Sequence, residues 1–314
     1  MRSELSAPQS VSRSERCRLA PARLGVIFGL TAAAIWGAFI AVSNLGIETG
    51  LLPEDMTFLR FSAAALVLLP FLLTRQPATL AGVGWGRAAV LAAFAGPFYV
   101  LATGHGYKHA PLAHGAVIQL GMITMTGMLI AARWFADRLS KRRVVGLLIL
   151  LLGLGTVAGP GLLEASAGTW RGDVLFATAG IMFAVYAALV RHWKLDAFSA
   201  TISMVAVSVL AYAPVYIIGG GLERLASAEV SDLIIQALVQ GVLSGVVSIY
   251  AFSRAVELLG AGRASLFPAI APAMAMLMGI PLLGEWPSMW QWSGLVIATF
   301  GLIWAASQTT KSSA

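Results

Sequence analysis

The chain repeats itself. Asp137, Ser140, Gly146, Leu147, Ile149, Gly153 and Leu154 return 148 positions later as Glu285, Ser288, Gly294, Leu295, Ile297, Gly301 and Leu302. Met128 and Leu129 return as Met276 and Leu277, and Trp36 faces Phe183 at an offset of 147. Each half carries five apolar segments of membrane length, which we place at 24–47, 56–73, 88–105, 112–133 and 144–163, then 172–191, 198–219, 233–254, 264–283 and 289–307. Runs of about 20 apolar residues cross a hydrocarbon core of about 30 Å. An odd number of spans per half forces the second half to enter the bilayer upside down relative to the first. The expected fold is an all-α integral membrane protein with ten transmembrane helices, arranged as two inverted five-helix repeats over 24–163 and 172–307. A basic, disordered tail over 1–23 and a short tail over 308–314 flank them.

Charge placement fixes an orientation. Only 11% of residues are charged, against about 25% in a soluble domain. With the N-terminus inside, sixteen of the 21 Lys and Arg fall on the cytoplasmic side, and only Lys108, Arg171 and Arg224 fall outside. Arg60 and Arg133 stay within spans. The outer loops hold Glu48, Glu54, Asp55, Glu164, Asp173, Glu223, Glu229, Asp232 and Glu285. This asymmetry is the positive-inside pattern, and it places both termini in the cytoplasm of a cell that holds the chain in its inner or plasma membrane. The net charge of +7 therefore marks a lipid bilayer partner and no nucleic acid. A single cysteine, Cys17, excludes an intrachain disulfide. The run Leu24–Ile47 is too long for the apolar core of a signal peptide and reads as a retained first helix.

Polar groups inside spans are costly in hydrocarbon, so each needs a partner or a wet cavity. Candidates to line a substrate cavity are Trp36, Tyr99, Gln119, Tyr186, Gln240, Ser244, Ser248 and Tyr250; packing or interfacial anchoring is the alternative for the tyrosines. Pro268 and Pro272 sit one turn apart in span nine, where two missing donors loosen the helix into a hinge or a static kink. His114 falls in the first turn of span four and Arg263 at the related place in span nine; both helix starts are expected to attract an anionic or zwitterionic substrate. His105, His109 and His114 do not share a helix face, and no carboxylate lies near them in sequence, so no metal is expected. Arg60 is expected to snorkel outward to Glu54 or Asp55. Gly146, Gly153, Gly294 and Gly301 recur at a spacing that keeps them on one face, fit for helix packing or, alternatively, for a homodimer.

Ala34-Ile35-Trp36-Gly37, Leu59-Arg60-Phe61, Gly172-Asp173, Phe267-Pro268 through Pro272, and Gly284-Glu285, with the glycines of spans five and ten, resemble the EamA-like family of the drug/metabolite transporter superfamily. The resemblance covers roughly 24–307. It implies a ten-helix fold of two inverted halves that moves a small-molecule substrate by alternating access, often outward. It names no substrate and implies no cofactor. Two positions depart from the family: Thr124 stands where a proline is usual, and Asp137 where glutamate is commoner. An intramembrane enzyme is a second reading, against which stands the absence of a nucleophile elbow or a His-Glu-x-x-His motif. A lipid scramblase or assembly subunit is a third. No P-loop is present to couple transport to ATP.

Overall fold

The computed structural model describes residues 13–134, 141–163, 168–259, 264 and 267–306. Among them there are helices and no strand. An apolar chain in hydrocarbon has few other choices, since a helix alone satisfies its own backbone within one segment. The helices are α1 (Arg13–Glu48), α2 (Pro53–Thr74), α3 (Trp85–Ala95), α4 (Pro97–Tyr107), α5 (Leu112–Trp134) and α6 (Lys141–Leu163). They continue as α7 (Thr169–His192), α8 (Ala197–Ile218), α9 (Gly221–Ser227), α10 (Val230–Leu259), α11 (Ala271–Leu283) and α12 (Met289–Ala306). Among the described residues, 7 helical stretches are long and apolar enough to cross a membrane, and α6 and α11 hold shorter apolar helices.

The helices depart from the expected spans in four places. Helix α1 starts at Arg13, within the stretch read as a tail. The third span is two helices, because Pro97 lacks the donor that would continue α3 and begins α4 at its first turn instead. Gly96 makes this corner: a Cβ there would lie 2.2 Å from the Ala92 carbonyl oxygen. The stretch before α10 contains the short helix α9. Helices α5 and α10 each contain a π-helical stretch, Gly115–Gln119 and Ala237–Val247.

The packing is paired. Helix α1 lies against α10 and α11, while α7 lies against α4 and α5; α2 lies against the π stretch of α10, while α8 lies against α3. Helices α6 and α12 cross antiparallel through their glycines. A Cβ on Gly301 would stand 2.6 Å from the Leu150 nitrogen and 2.8 Å from the Gly146 oxygen. One on Gly153 would stand 2.4 Å from the Ala298 nitrogen, and one on Gly294 would stand 2.8 Å from the Gly153 oxygen. Shifting every residue by 148 positions, forward or back, turns the first set of contacts into the second. The glycines of the two halves thus meet one another within one chain. Leu148, Leu152, Val296 and Phe300, on the opposite faces of the same helices, are exposed, as lipid-facing residues are.

Candidate functional site

A polar centre forms where α4, α5 and α7 meet. The π turn inserts an extra residue per turn and re-aims the side chains that follow it. At its end the buried Gln119 donates a 2.7 Å hydrogen bond from Nε2 to the Tyr99 hydroxyl. The Tyr99 ring lies 5.5 Å from Phe183, which lies 5.4 Å from Tyr186. Three of the expected cavity residues, from three helices, therefore share one neighbourhood.

A second polar group joins α10 to α1. Gln236 donates from Nε2 to the Val42 carbonyl at 2.7 Å, and Gln240 donates to Gln236. Ser244 and Ser248 are buried on the same helix, and Trp36 packs at 5.3 Å on Phe252. Tyr250 is not part of it. The residue is 60% exposed, and its ring meets Phe28 edge-on. Two residues beyond the fully buried Ser248, it stands about 200° further around the helix and cannot face the same way. Arg263, with Gly262, lies outside the described residues.

The histidines have partners that sequence distance hid. His114 Nδ1 is 2.7 Å from Asp173 Oδ1, both nearly buried. The start of α7 comes this close because Gly172 carries no side chain: a Cβ there would stand 2.8 Å from the Gly106 oxygen. His114 is thus held by the protein's own carboxylate rather than left open for a substrate anion. His105 Nε2 lies 3.2 Å from Glu54 Oε1. Both carboxylates come from other helices, far from these histidines in sequence.

Arg60 is also placed differently from the expectation. Asp55 is taken: it accepts from Tyr216 Oη at 2.5 Å, from Arg224 Nε at 3.2 Å and from the Leu52 amide at 3.0 Å. Five residues further on, Arg60 stands about 140° around α2 from Asp55 and turns inward. Its guanidinium lies over the Phe39 ring at 4.7 Å, and Nη1 is buried with no hydrogen-bond partner.

Among the described residues, the two prolines of span nine stand at a helix start. A turn of 3₁₀ helix, Pro268–Ile270, precedes α11, and Pro272 occupies the first turn of that helix. Gly37 lets α1 close on this region, since a Cβ there would lie 2.9 Å from the Ala275 nitrogen. Beyond α11, a cavity of about 180 Å³ is lined by Pro111, Leu112, Met276, Glu285 and Gln291. Burial, and then the charge of Glu48, push the Glu285 carboxyl above its ordinary value of 4.5, against the Leu112 amide and His114. A folded-state value raised above the unfolded one favours folding below the ordinary value and disfavours it as pH rises through the shifted one. Glu285→Gln is therefore expected to melt higher than the native chain at neutral pH, with the difference vanishing as pH falls below 4.5. Melting curves of both proteins across that range check this.

Helices clad in exposed apolar residues, packed around buried amides, hydroxyls and an unpaired cation, define a multi-pass membrane protein with a polar interior. The chain belongs to the EamA-like transporter family, which matches it twice, over residues 23–158 and 170–307. This membership points to a membrane transporter rather than an enzyme. An uncharacterized protein of Pseudomonas aeruginosa is 29% identical over 245 residues, covering 76% of this chain and 78% of that one. One solved crystal structure shares the fold at a TM-score of 0.57, with 19% identity, 90% of this chain covered and 96% of the other.

Proposed function

We propose that the chain is a secondary transporter that moves a small polar metabolite past the Tyr99–Gln119 centre by alternating access. Its ten spans form two inverted halves, with both termini in the cytoplasm. The observation that carries this reading is the buried Gln119–Tyr99 pair at the end of a π turn, within electrostatic reach of the unpaired Arg60. A merely structural core has little reason to hold polar groups at this depth. The inverted arrangement is supported by the α6–α12 contacts, which exchange with one another under the 148-residue offset. Exchanging each span with the one five later likewise carries the α1–α10 and α1–α11 packing onto α7–α4 and α7–α5. Pro268 and Pro272, in the 3₁₀ turn and first helical turn of span nine, are the kind of helix-loosening residues that would serve a transporter as a pivot. Outward movement is what the family resemblance adds.

Gln119→Leu tests the centre. The variant is expected to fold, since Leu fills similar space and the Tyr99 hydroxyl loses one neutral partner. Its uptake into or release from proteoliposomes should fall about tenfold, the scale of one buried hydrogen bond to the moving solute. Native rates in a folded Gln119→Leu would assign the amide to packing.

A further inference from the structure

We propose that Arg60 anchors an anionic group, a carboxylate or a phosphate, of the transported solute; this rests on the transport reading and names the cargo's charge. Arg60 lies seven residues into α2, about 10 Å along the helix axis. A cation at such a depth is normally paired, because hydrocarbon offers its charge no solvation. Here Nη1 is buried without a partner, and the guanidinium forms no ion pair with any described residue. The face of Phe39 at 4.7 Å offers only a weak attraction.

The acids nearest to it in sequence are committed elsewhere. Asp55 holds Tyr216 and Arg224, and Glu54 meets His105. Among the described residues, Tyr99 lies within electrostatic reach of it. Its hydroxyl accepts from Gln119, and no described acceptor takes its own proton. The site is therefore rich in donors and poor in acceptors, which suits an anion. A guanidinium presents its donors as a planar fork that matches two oxygens of a carboxylate or phosphate at once. A protein that keeps such a group unpaired sacrifices stability for a ligand that completes it.

The test uses the full chain in detergent, as the native protein, Arg60→Gln and Arg60→Lys. Melting temperatures are recorded with acetate against acetamide, L-leucine against L-leucinamide, glycerol 3-phosphate against glycerol, and phosphatidylglycerol alone. The expected result is that a solute carrying a carboxylate or phosphate stabilises the native chain and its amide or alcohol counterpart does not. The apparent dissociation constant should rise about 10- to 100-fold in Arg60→Gln, the scale of a charged hydrogen bond, and less in Arg60→Lys. Without solute, Arg60→Gln should melt at or above the native chain, because an uncompensated charge has been removed. Arg60→Gln that melts well below it, or fails to fold while Arg60→Lys folds without binding, overturns the proposal. So does stabilisation by phosphatidylglycerol alone, which would assign the cation to a lipid headgroup. If uncharged solutes bind both chains equally, the anion is wrong and transport stands. If no solute shifts the native chain, both readings fall.

Discussion

Gly301→Leu is expected to abolish recovery of folded protein. The side chain would enter space held by backbone: its Cβ alone would stand 2.6 Å from the Leu150 nitrogen and 2.8 Å from the Gly146 oxygen. A flexible side chain could move aside, but a helix backbone moves only by separating α6 from α12. Overpacking ordinarily costs about 1–3 kcal/mol where side chains yield. Against unyielding backbone the cost should reach about 4 kcal/mol or more, which is comparable to the whole stability of many domains. Leu148→Ala, on the exposed face of α6 at 61% exposure, is the contrast and should leave yield and melting temperature nearly unchanged. Size-exclusion profiles of the two variants give the answer directly. Monodisperse Gly301→Leu at native yield would mean that α6 and α12 do not meet through these glycines.

Asp55→Ala should lower stability by about 2–4 kcal/mol, since it removes a carboxylate that joins three elements. Asp55 is 3% exposed and holds the Leu52 amide at the start of α2, the Tyr216 hydroxyl on α8 and the Arg224 guanidinium on α9. Tyr216 is fixed further by stacking on Phe58 at 4.4 Å. Arg224 is half exposed and can turn to water, which keeps the loss below that of a fully buried pair. Asp55→Asn keeps an acceptor but loses the charge, so its melting temperature should fall between those of Asp55→Ala and the native chain. An unchanged melting temperature in Asp55→Ala would remove this cluster from the account of what joins α2 to α8.

The helical segments were legible because membrane length and apolarity are local properties. Gly146, Gly153, Gly294 and Gly301 could also be read as packing positions, since their spacing alone puts them on one face. Their partner could not be read: a stripe of small residues looks the same whether it meets a helix of its own chain or of a second copy. Gln119 was a candidate because a buried amide is expensive wherever it sits, but the π turn that aims it at Tyr99 left no periodic signal. Tyr250 misled because residue type was weighed without its angle to Ser248. Arg60 misled for a related reason: Glu54 and Asp55 are near in sequence, yet their partners are His105 and Arg224, 51 and 169 residues away. Such long-range pairings are tertiary facts, and one sequence without its fold does not contain them in readable form.

Alternating-access transport is tested most directly by flux. Proteoliposomes loaded with a defined mixture of amino acids, organic acids, sugar phosphates, nucleosides and polyamines are sampled over time, and the solutes retained are measured by mass spectrometry. The account predicts that one chemical class, carrying a carboxylate or phosphate, leaves faster than from protein-free vesicles. That release should saturate with concentration and slow in Gln119→Leu. Release of every solute at the protein-free rate would contradict it.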